Sequence, residues 1–419
     1  MVYVVVQSDF DAVVRDVVTE SVERDSFWVK VGSTKSYKKA IIAVQKDSGK
    51  LIFTSQDADI EFKKLLKNRY QIVLKNTPDK EKIIDLRCVS YHSKPMQREI
   101  TSFDIIPSSE KDNVTLLALG DVEGKLKFAE INSQTEISDL NVIEEAHFAD
   151  ITKVKFFPSA KVLITVGLDY SAKIWSFPGG ENPRTLRKQK GRITDVCIVG
   201  KGRNILTSSL DGSIIIWECG TSKDLYEFRR IKSLHDGVTV IKLRETDSKP
   251  HEDETENHIN SHLFEAEGKI CYSGHKSGTI AVWDLYSQTT LGEYSSLDGS
   301  PVSALILEDE YIYAGYENSF VRCWSYNNFS APVWERQLFN SKSVGSDKID
   351  TKVNDILYLS GEDKLVVSWS DSQLVAINSR NGEDSETYFG FDTSLRVNEI
   401  KKSGSEVYAA GKEGLFLNL

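Results

Sequence analysis

Apolar and polar positions alternate along this chain in short runs, and the runs come in pairs. The stretch 203–217, RNILTSSLDGSIIIW, shows the unit. Ile205 to Ser209 reads as one strand, Asp211-Gly212 as a tight turn, and Ser213 to Trp217 as a second, β-branched strand closed by an indole. Two short apolar runs joined by Asp-Gly predict a hairpin. A lone hairpin is marginal in water, so this one must pack on something, and the chain offers copies of it. Aligned on the last residue of the second strand, the copies end at Ala129, Trp175, Trp217, Trp283, Trp324, Ile377 and Leu419. The spacings are 46, 42, 66, 41, 53 and 42, and the 66 contains a polar insert, 244–268, without which it returns to 41.

A second phrase precedes each hairpin: Ile100-Thr101, Ile151-Thr152, Ile193-Thr194, Val238-Thr239, Val302-Ser303, Val353-Asn354 and Val397-Asn398. One small hydrogen-bonding residue recurs at the same place in every copy. A period of about 40–45 residues with several short strands per copy predicts a β-propeller. The fold class is therefore all-β, a seven-bladed propeller over 83–419 carrying the loop insert 244–268. Residues 1–82 do not match the repeat and read as a small N-terminal α+β domain. Its pattern predicts strands at Tyr3–Val6, Phe27–Val31, Ala40–Val44, Leu51–Thr54 and Gln71–Lys75. It also predicts a helix over about 9–20 capped by Ser8, a second helix over about 58–69, and a linker at 77–80.

The repeat is similar to the WD40 repeat, in which Trp ends the third strand of a blade; Trp283-Asp284 is the literal Trp-Asp. That resemblance implies a polar lock inside each blade: His before the first strand, Ser or Thr on the second, Asp in the turn and Trp on the third. The second blade has all four, as His147, Thr165, Asp169 and Trp175. The third has Thr207, Asp211 and Trp217, with Gln189 where His is expected. The fourth keeps Ser273 and Trp283, with His235 about one residue out of register and Ser277 in place of Asp. The other blades lack most of the lock, and apolar packing is expected to hold them. Leu419 falls where a third strand ends, so the seventh blade needs a fourth strand from elsewhere, because an unpaired edge is a liability. Residues 83–90 are expected to supply it by pairing with 412–419.

Composition narrows the function. With 62 acidic and 52 basic side chains the formal charge is −10, which argues against a nucleic-acid partner. The charge is uneven. Residues 1–82 carry 15 basic and 12 acidic groups, whereas the insert carries 2 and 8, so a partner for the acidic part is expected to be basic. No apolar run is long enough to span a membrane, and the start lacks the basic segment of a secretory signal. The five cysteines form no CxxC and read as small buried hydrophobes in a reducing compartment, the cytoplasm and nucleus. His251, His258 and His262 lie in the insert, whose polar, acidic make-up reads as a disordered loop rather than a metal site. Phosphate-loop, nucleophile-elbow and zinc-protease motifs are absent. No catalytic residue, cofactor or metal is expected, and the chain reads as an interaction module rather than an enzyme. A closed ring, which removes most strand edges, favours a monomer.

In such a repeat the residues before the first strand and in the turn after the second crowd one face around the channel. The pre-strand positions are Glu99, Asp150, Arg192, Gly237, Pro301, Lys352 and Arg396, and the turns contribute Asp121, His275, Tyr316, Glu317, Trp369 and Lys412. Glu99, Asp121, Asp150, Thr152, Arg192, Tyr316, Glu317 and Trp369 are the expected partner-binding residues, Tyr316-Glu317 and Trp369 forming an aromatic centre beside acids. Trp369 either faces solvent there or packs between blades.

Four runs carry a closer likeness: AHFADITKVKFFPS (146–159), NPRTL (182–186), GRNILTSSLDGSIIIWECGT (202–221) and YIYAGYEN (311–318). They resemble the proteasomal ATPase-associated factor family, particularly its fungal branch, whose members are WD40 assembly chaperones of the proteasome 19S regulatory particle. The resemblance implies no catalysis. It implies binding to the C-terminal domain of a proteasomal ATPase, chiefly of the base-ring subunit six type, and to base assembly precursors. The alternative within the same architecture is another WD40 adaptor, such as a ubiquitin-ligase substrate receptor.

Overall fold

The computed structural model describes residues 3–33, 36–66, 68–77, 80–89, 91–132, 136–246, 262–296, 298–308, 310–338, 351–369, 373–392 and 395–419. Seven blades of four antiparallel strands follow one another from residue 100 to the C-terminus, the last completed by a strand from just before residue 100. Their innermost strands are Ile100–Pro107, Ile151–Phe156, Ile193–Val199, Val238–Glu245, Val302–Leu307, Val353–Leu359 and Val397–Ser403. Each of these packs beside the next, and the last packs beside the first, so the ring is closed. The repeat ends found in the sequence are in register. Ala129, Trp175, Trp217, Trp283, Trp324 and Ile377 pair across to Leu117, Leu163, Ile205, Cys271, Ile312 and Leu365.

The recurring Thr or Asn now has a physical reason. The innermost strand of each blade is an open edge, whose free N–H and C=O groups need partners. Side chains of the neighbouring blade supply them. Thr101 Oγ1 donates to the Ile151 carbonyl at 2.5 Å, Thr152 to Ile193 at 2.6 Å and Thr194 to Val238 at 2.9 Å. Asn354 Nδ2 donates to Val397 at 2.9 Å, and Asn398 Nδ2 to Ile100 at 2.8 Å, which joins blade seven to blade one. Thr152, expected at the partner face, is half-buried and spends its hydroxyl as an inter-blade tie. A second belt runs below the first in the opposite sense. Asp104, Asp195, Asp355 and Glu399 accept the N–H groups of Phe156, Ile241, Ile400 and Phe103 at 2.7, 3.0, 2.8 and 2.9 Å. Lys153 (2.8 Å) and Lys401 (3.2 Å) pair with Glu399 in the channel, and outweigh the burial that would otherwise raise its carboxyl, so that it is held well below the usual range.

The N-terminal domain comprises β1 (Tyr3–Val6), α1 (Phe10–Val18), β2 (Arg24–Ser33), β3 (Ser36–Asp47), β4 (Lys50–Ser55), β5 (Ile60–Leu66), β6 (Arg69–Thr77) and β7 (Lys80–Cys88). Helix α1 begins at Phe10 with Asp9 at its cap position, not Ser8, and buries Phe10, Val13, Val14 and Val17 while Val18 stays exposed. Residues 58–69 are not helical. Ile60 and Phe62 are buried with period two and pair with Leu74 and Ile72 of β6, so strand pairing overrides the helix preference of the Lys-Lys-Leu-Leu stretch. Thr77 and Lys80 close the β6–β7 hairpin rather than linking two domains; Pro78 and Asp79 lie outside the described residues.

Position 82 is not a domain boundary either. It sits inside β7, which pairs with β6 on one side and, in parallel, with the outer strand of blade six, Asp384–Phe389, on the other. The N-terminal domain thus extends blade six, and the junction falls after Cys88. Phe389 of blade six enters the N-terminal core, 5.0 Å from Phe10 and 5.5 Å from Tyr70 between ring centroids. Arg69, Arg87 and Lys364 surround Glu362 and Glu386 across this junction. With 83–88 so occupied, the strand that completes blade seven comes later. It is β8 (Tyr91–Ser93), which pairs with Phe416–Asn418.

The insert is narrower than expected. Arg244 and Glu245 end the inner strand of blade four. Residues 262–268 are clamped on blade three: Asn204 Nδ2 donates to the His262 carbonyl at 3.1 Å, and the Arg203 guanidinium lies 3.5 Å from the Phe264 ring centroid. Residues 247–261, with His251 and His258, lie outside the described residues. Of the five cysteines, four are buried and Cys219 is half-buried, all reduced. Among the described residues no helix is long and apolar enough to cross a membrane.

Candidate partner-binding face

The locks fix the loops on one face. In blade two Asp169 Oδ1 lies 2.9 Å from His147 Nδ1, Thr165 Oγ1 lies 2.7 Å from Nε2, and Trp175 Nε1 donates to Thr165 at 2.8 Å. A carboxylate only accepts, so Nδ1 carries the proton and Nε2 accepts from the threonine. Burial lowers the His147 pKa against the pull of Asp169. Gly167 makes room, since a Cβ there would lie 2.8 Å from His147 Nδ1. In blade three Gln189 takes the place of the imidazole. Its Oε1 accepts from Thr207 at 2.8 Å, its Nε2 donates to Ser213 Oγ at 3.0 Å, and Trp217 Nε1 reaches Thr207 at 2.8 Å. Asp211 holds the turn through Ser213 and the Lys190 N–H. Gly212 (φ +87°) is required there, because a Cβ would lie 2.6 Å from the Leu234 carbonyl.

Blade four departs from the sequence expectation. His235 is exposed, and the imidazole against Ser273 is that of His275, at 2.9 Å, with Trp283 Nε1 donating to Ser273 at 2.8 Å. Asp236, bound to Ser277 and Arg230, takes the acid's place. His275 is therefore a lock residue and not part of a binding face.

The same correction applies to three expected partner residues. Asp121 (1% exposed), Tyr316 (0%) and Trp369 (3%) end the second strands of their blades and point inward. Asp121 Oδ1 caps the turn through the N–H groups of Glu123 and Lys125. Tyr316 lies under the Arg322 guanidinium, 4.4 Å from ring centroid to Cζ, and Trp369 packs into the core between blades five and six. Glu99 is half-buried and committed to Arg396 at 2.5 Å and Asn398 at 2.8 Å. Burial would raise its carboxyl pKa, but those partners outweigh it and lower it.

What remains on the face is a ring of paired loops. The carbonyls of Glu99, Asp150, Arg192, Gly237, Pro301 and Arg396 accept from the N–H groups of Val122, Leu168, Leu210, Lys276, Glu317 and Lys412. Of the expected partner residues, Arg192 and Glu317 are exposed there and Asp150 is half-buried. Lys276 and Lys412 are exposed beside them, so the face is mixed in charge. Sequence reasoning missed its apolar part. Phe148 (79% exposed), Tyr170 (48%), Ile231 (87%) and Leu234 (51%) stand on loops of blades two to four at the same end of the ring. The 229–237 loop is braced by Arg229, which donates to the carbonyls of Asp211 (2.6 Å) and Leu234 (3.0 Å). Large apolar side chains on braced loops were a readable signal, because nothing in the WD40 lock requires them.

A closed ring of four-stranded blades, several held by a Ser/Thr–Trp lock, is a WD40-repeat β-propeller. Residues 139–176 and 180–218 match the WD domain, G-beta repeat. The chain is 32% identical over 69% of its length to the 26S proteasome regulatory subunit RPN14 of Saccharomyces cerevisiae, of which it covers 61%. More distant likenesses are to the Denticleless protein homolog of Mus musculus (24% identity, 45% of this chain and 27% of that one) and to Cell division control protein 4 of Saccharomyces cerevisiae (26%, 48% and 24%). The chain thus carries WD40 repeats and is similar over most of its own length to a proteasome regulatory subunit, while it spans 61% of that relative.

Proposed function

We propose that this protein is a non-catalytic assembly chaperone of the proteasome 19S regulatory particle base. It acts in the cytoplasm and nucleus by holding the C-terminal domain of a proteasomal AAA ATPase, of the base-ring subunit six type, against its propeller face. The observation that carries this reading is the 32% identity to RPN14 over 69% of the chain. The face supports it in kind: exposed apolar side chains, braced by hydrogen-bonded loops and flanked by charges of both signs, suit a protein surface more than a small substrate. A rigid ring that caps a small domain keeps it from premature contacts and leaves when the mature interface outcompetes it.

The test is binding of purified ATPase C-terminal domain to the full chain, its Phe148→Asp/Ile231→Asp variant and its Asp150→Lys/Glu317→Lys variant. Loss of binding in the first and a salt-dependent slowing of association in the second are expected. Wild-type binding that both variants retain moves the site off this face. No binding by the wild type, with capture of ubiquitin-ligase subunits instead, replaces the reading with the adaptor one.

A further inference from the structure

The N-terminal sheet has two sides, and only one is used. Helix α1 covers the side that carries Phe27, Val29, Val31, Ala40, Ile42 and Val44. The opposite side is open. Strand alternation puts Trp28 and Lys30 of β2, Tyr37, Lys39 and Ile41 of β3, and Ile52 of β4 on it. Tyr37 is 64% exposed, Ile41 40% and Ile52 39%. The register makes them one patch, since Trp28 lies opposite Ile41 and Lys30 opposite Lys39.

The charges in this patch are arranged at a cost. Like charges directly opposite each other on one face of a sheet destabilise it. Yet Lys30 and Lys39 are cross-strand neighbours, and among the described residues neither has a carboxylate within ion-pair distance. Both ammonium groups rest on the same indole, 5.1 and 5.3 Å from the Trp28 ring centroid, and Lys30 also lies 5.2 Å from Tyr37. Cation–π contact offsets part of the repulsion and holds the two cations side by side, facing outward, with aromatic and aliphatic surface around them.

We propose that this face is a docking surface for an acidic segment of a partner protein, one whose carboxylates bridge Lys30 and Lys39 while apolar side chains beside them cover Trp28, Tyr37 and Ile41. Charge complementarity selects the occupant. A second copy of the chain would bring four ammonium groups together, which disfavours self-association through this face. A polynucleotide would find too few cations for the counterion release that drives such binding, and Ile41 and Ile52 offer it nothing. The surface belongs to the N-terminal sheet and shares no residue with the propeller face.

The experiment uses the full chain and a fluorescein-labelled sixteen-residue peptide of alternating Glu and Leu, read by fluorescence anisotropy at low and high salt. Its controls are a Lys/Leu peptide, a Glu/Ser peptide, a single-stranded oligothymidylate and phosphatidylserine vesicles. The Glu/Leu peptide is expected to bind at least tenfold more tightly than the other two peptides. Lys30→Glu/Lys39→Glu is expected to lose at least tenfold, and Trp28→Ala several-fold. All these side chains lie on the open face, and an unchanged thermal melt confirms that each variant is folded. For a variant that melts early, protection of residues 24–54 from hydrogen exchange by the peptide in the wild type serves instead. Equal binding by wild type and the double-glutamate variant overturns the proposal, as does absence of protection over 24–54. Preferential binding of oligothymidylate or vesicles, lost in the variants, overturns it in favour of a nucleic-acid or membrane surface.

Discussion

His275 turns the pH dependence of stability into a test of how blade four is held. The ring is 1% exposed, with Nε2 2.9 Å from Ser273 Oγ and Nδ1 3.2 Å from the Asp236 carbonyl. A carbonyl only accepts, so the proton sits on Nδ1, and Nε2 accepts from the serine, whose oxygen accepts from Trp283. A second proton, on Nε2, breaks this wiring. Burial pulls the imidazole down from 6.5 to about 4. The unfolded chain takes up that proton near 6.5 and the folded chain only near 4. The stability this group contributes is therefore complete above 6.5 and is lost as pH falls from there toward 4. Between pH 7 and pH 5 these two values give a loss of about 2 kcal/mol. His147, lowered by burial in the same direction, adds to the loss. Urea denaturation at pH 7, 6, 5.5 and 5 reads it. His275→Gln is expected to be less stable at pH 7 but to lose about 2 kcal/mol less on going to pH 5. His147→Gln copies the Gln189 arrangement of blade three, so it is expected to keep most of its stability at pH 7 and flatten the slope further. Identical pH slopes in wild type and His275→Gln would refute the buried neutral imidazole.

Thr165→Val keeps the shape and removes the hydroxyl, leaving both Trp175 Nε1–H and His147 Nε2 buried without a partner. At about 1–3 kcal/mol for each, the expected loss is about 2–6 kcal/mol in urea denaturation. The inter-blade ties are not equal. Asn398→Leu breaks the bond from blade seven to Ile100 and is expected to cost about 1–2 kcal/mol, whereas Ser303→Ala, at a hydroxyl with no hydrogen-bond partner among the described residues, is expected to cost almost nothing. Arg87→Glu places a third carboxylate beside Glu362 and Glu386 and is expected to loosen the N-terminal domain from blade six. Faster limited proteolysis near residues 89–91, with the propeller still intact, reports it.

Much of the fold was legible because hairpins are local. The Asp-Gly turn, the apolar run and the closing Trp are set by nearby residues, and the phase of the repeat followed from them. What failed was non-local. The β5 stretch was misread because its partner, β6, decides its conformation. The ring-closing strand was misplaced by a few residues because 83–88 were needed elsewhere, by Phe389 and the outer edge of blade six. The Thr and Asn of the recurring phrase were visible as a pattern, but their acceptors belong to the next blade, about 40 residues on.

The misplacing of Asp121, His275, Tyr316 and Trp369 has one cause, which lies in a single slot repeated seven times. Asp121, Gly167, Ser209, His275, Tyr316, Trp369 and Gly411 all pair with the first residue of their blade's innermost strand. Read as turn residues they face solvent; as strand ends they face the blade interior. Their sizes then make sense as compensation. Where His147 or Gln189 enters from the preceding loop, the strand ends in Gly167 or Ser209. Where no such side chain enters, the strand end fills the slot itself with His275, Tyr316 or Trp369. At Gly411 the backbone does so, a Cβ there falling 1.9 Å from the Arg396 carbonyl. An aromatic at this position is thus a replacement for the lock. The residues free to meet a partner are the next ones along, such as Glu317 after Tyr316, and the loop tips that no slot demands: Phe148, Tyr170, Ile231 and Leu234.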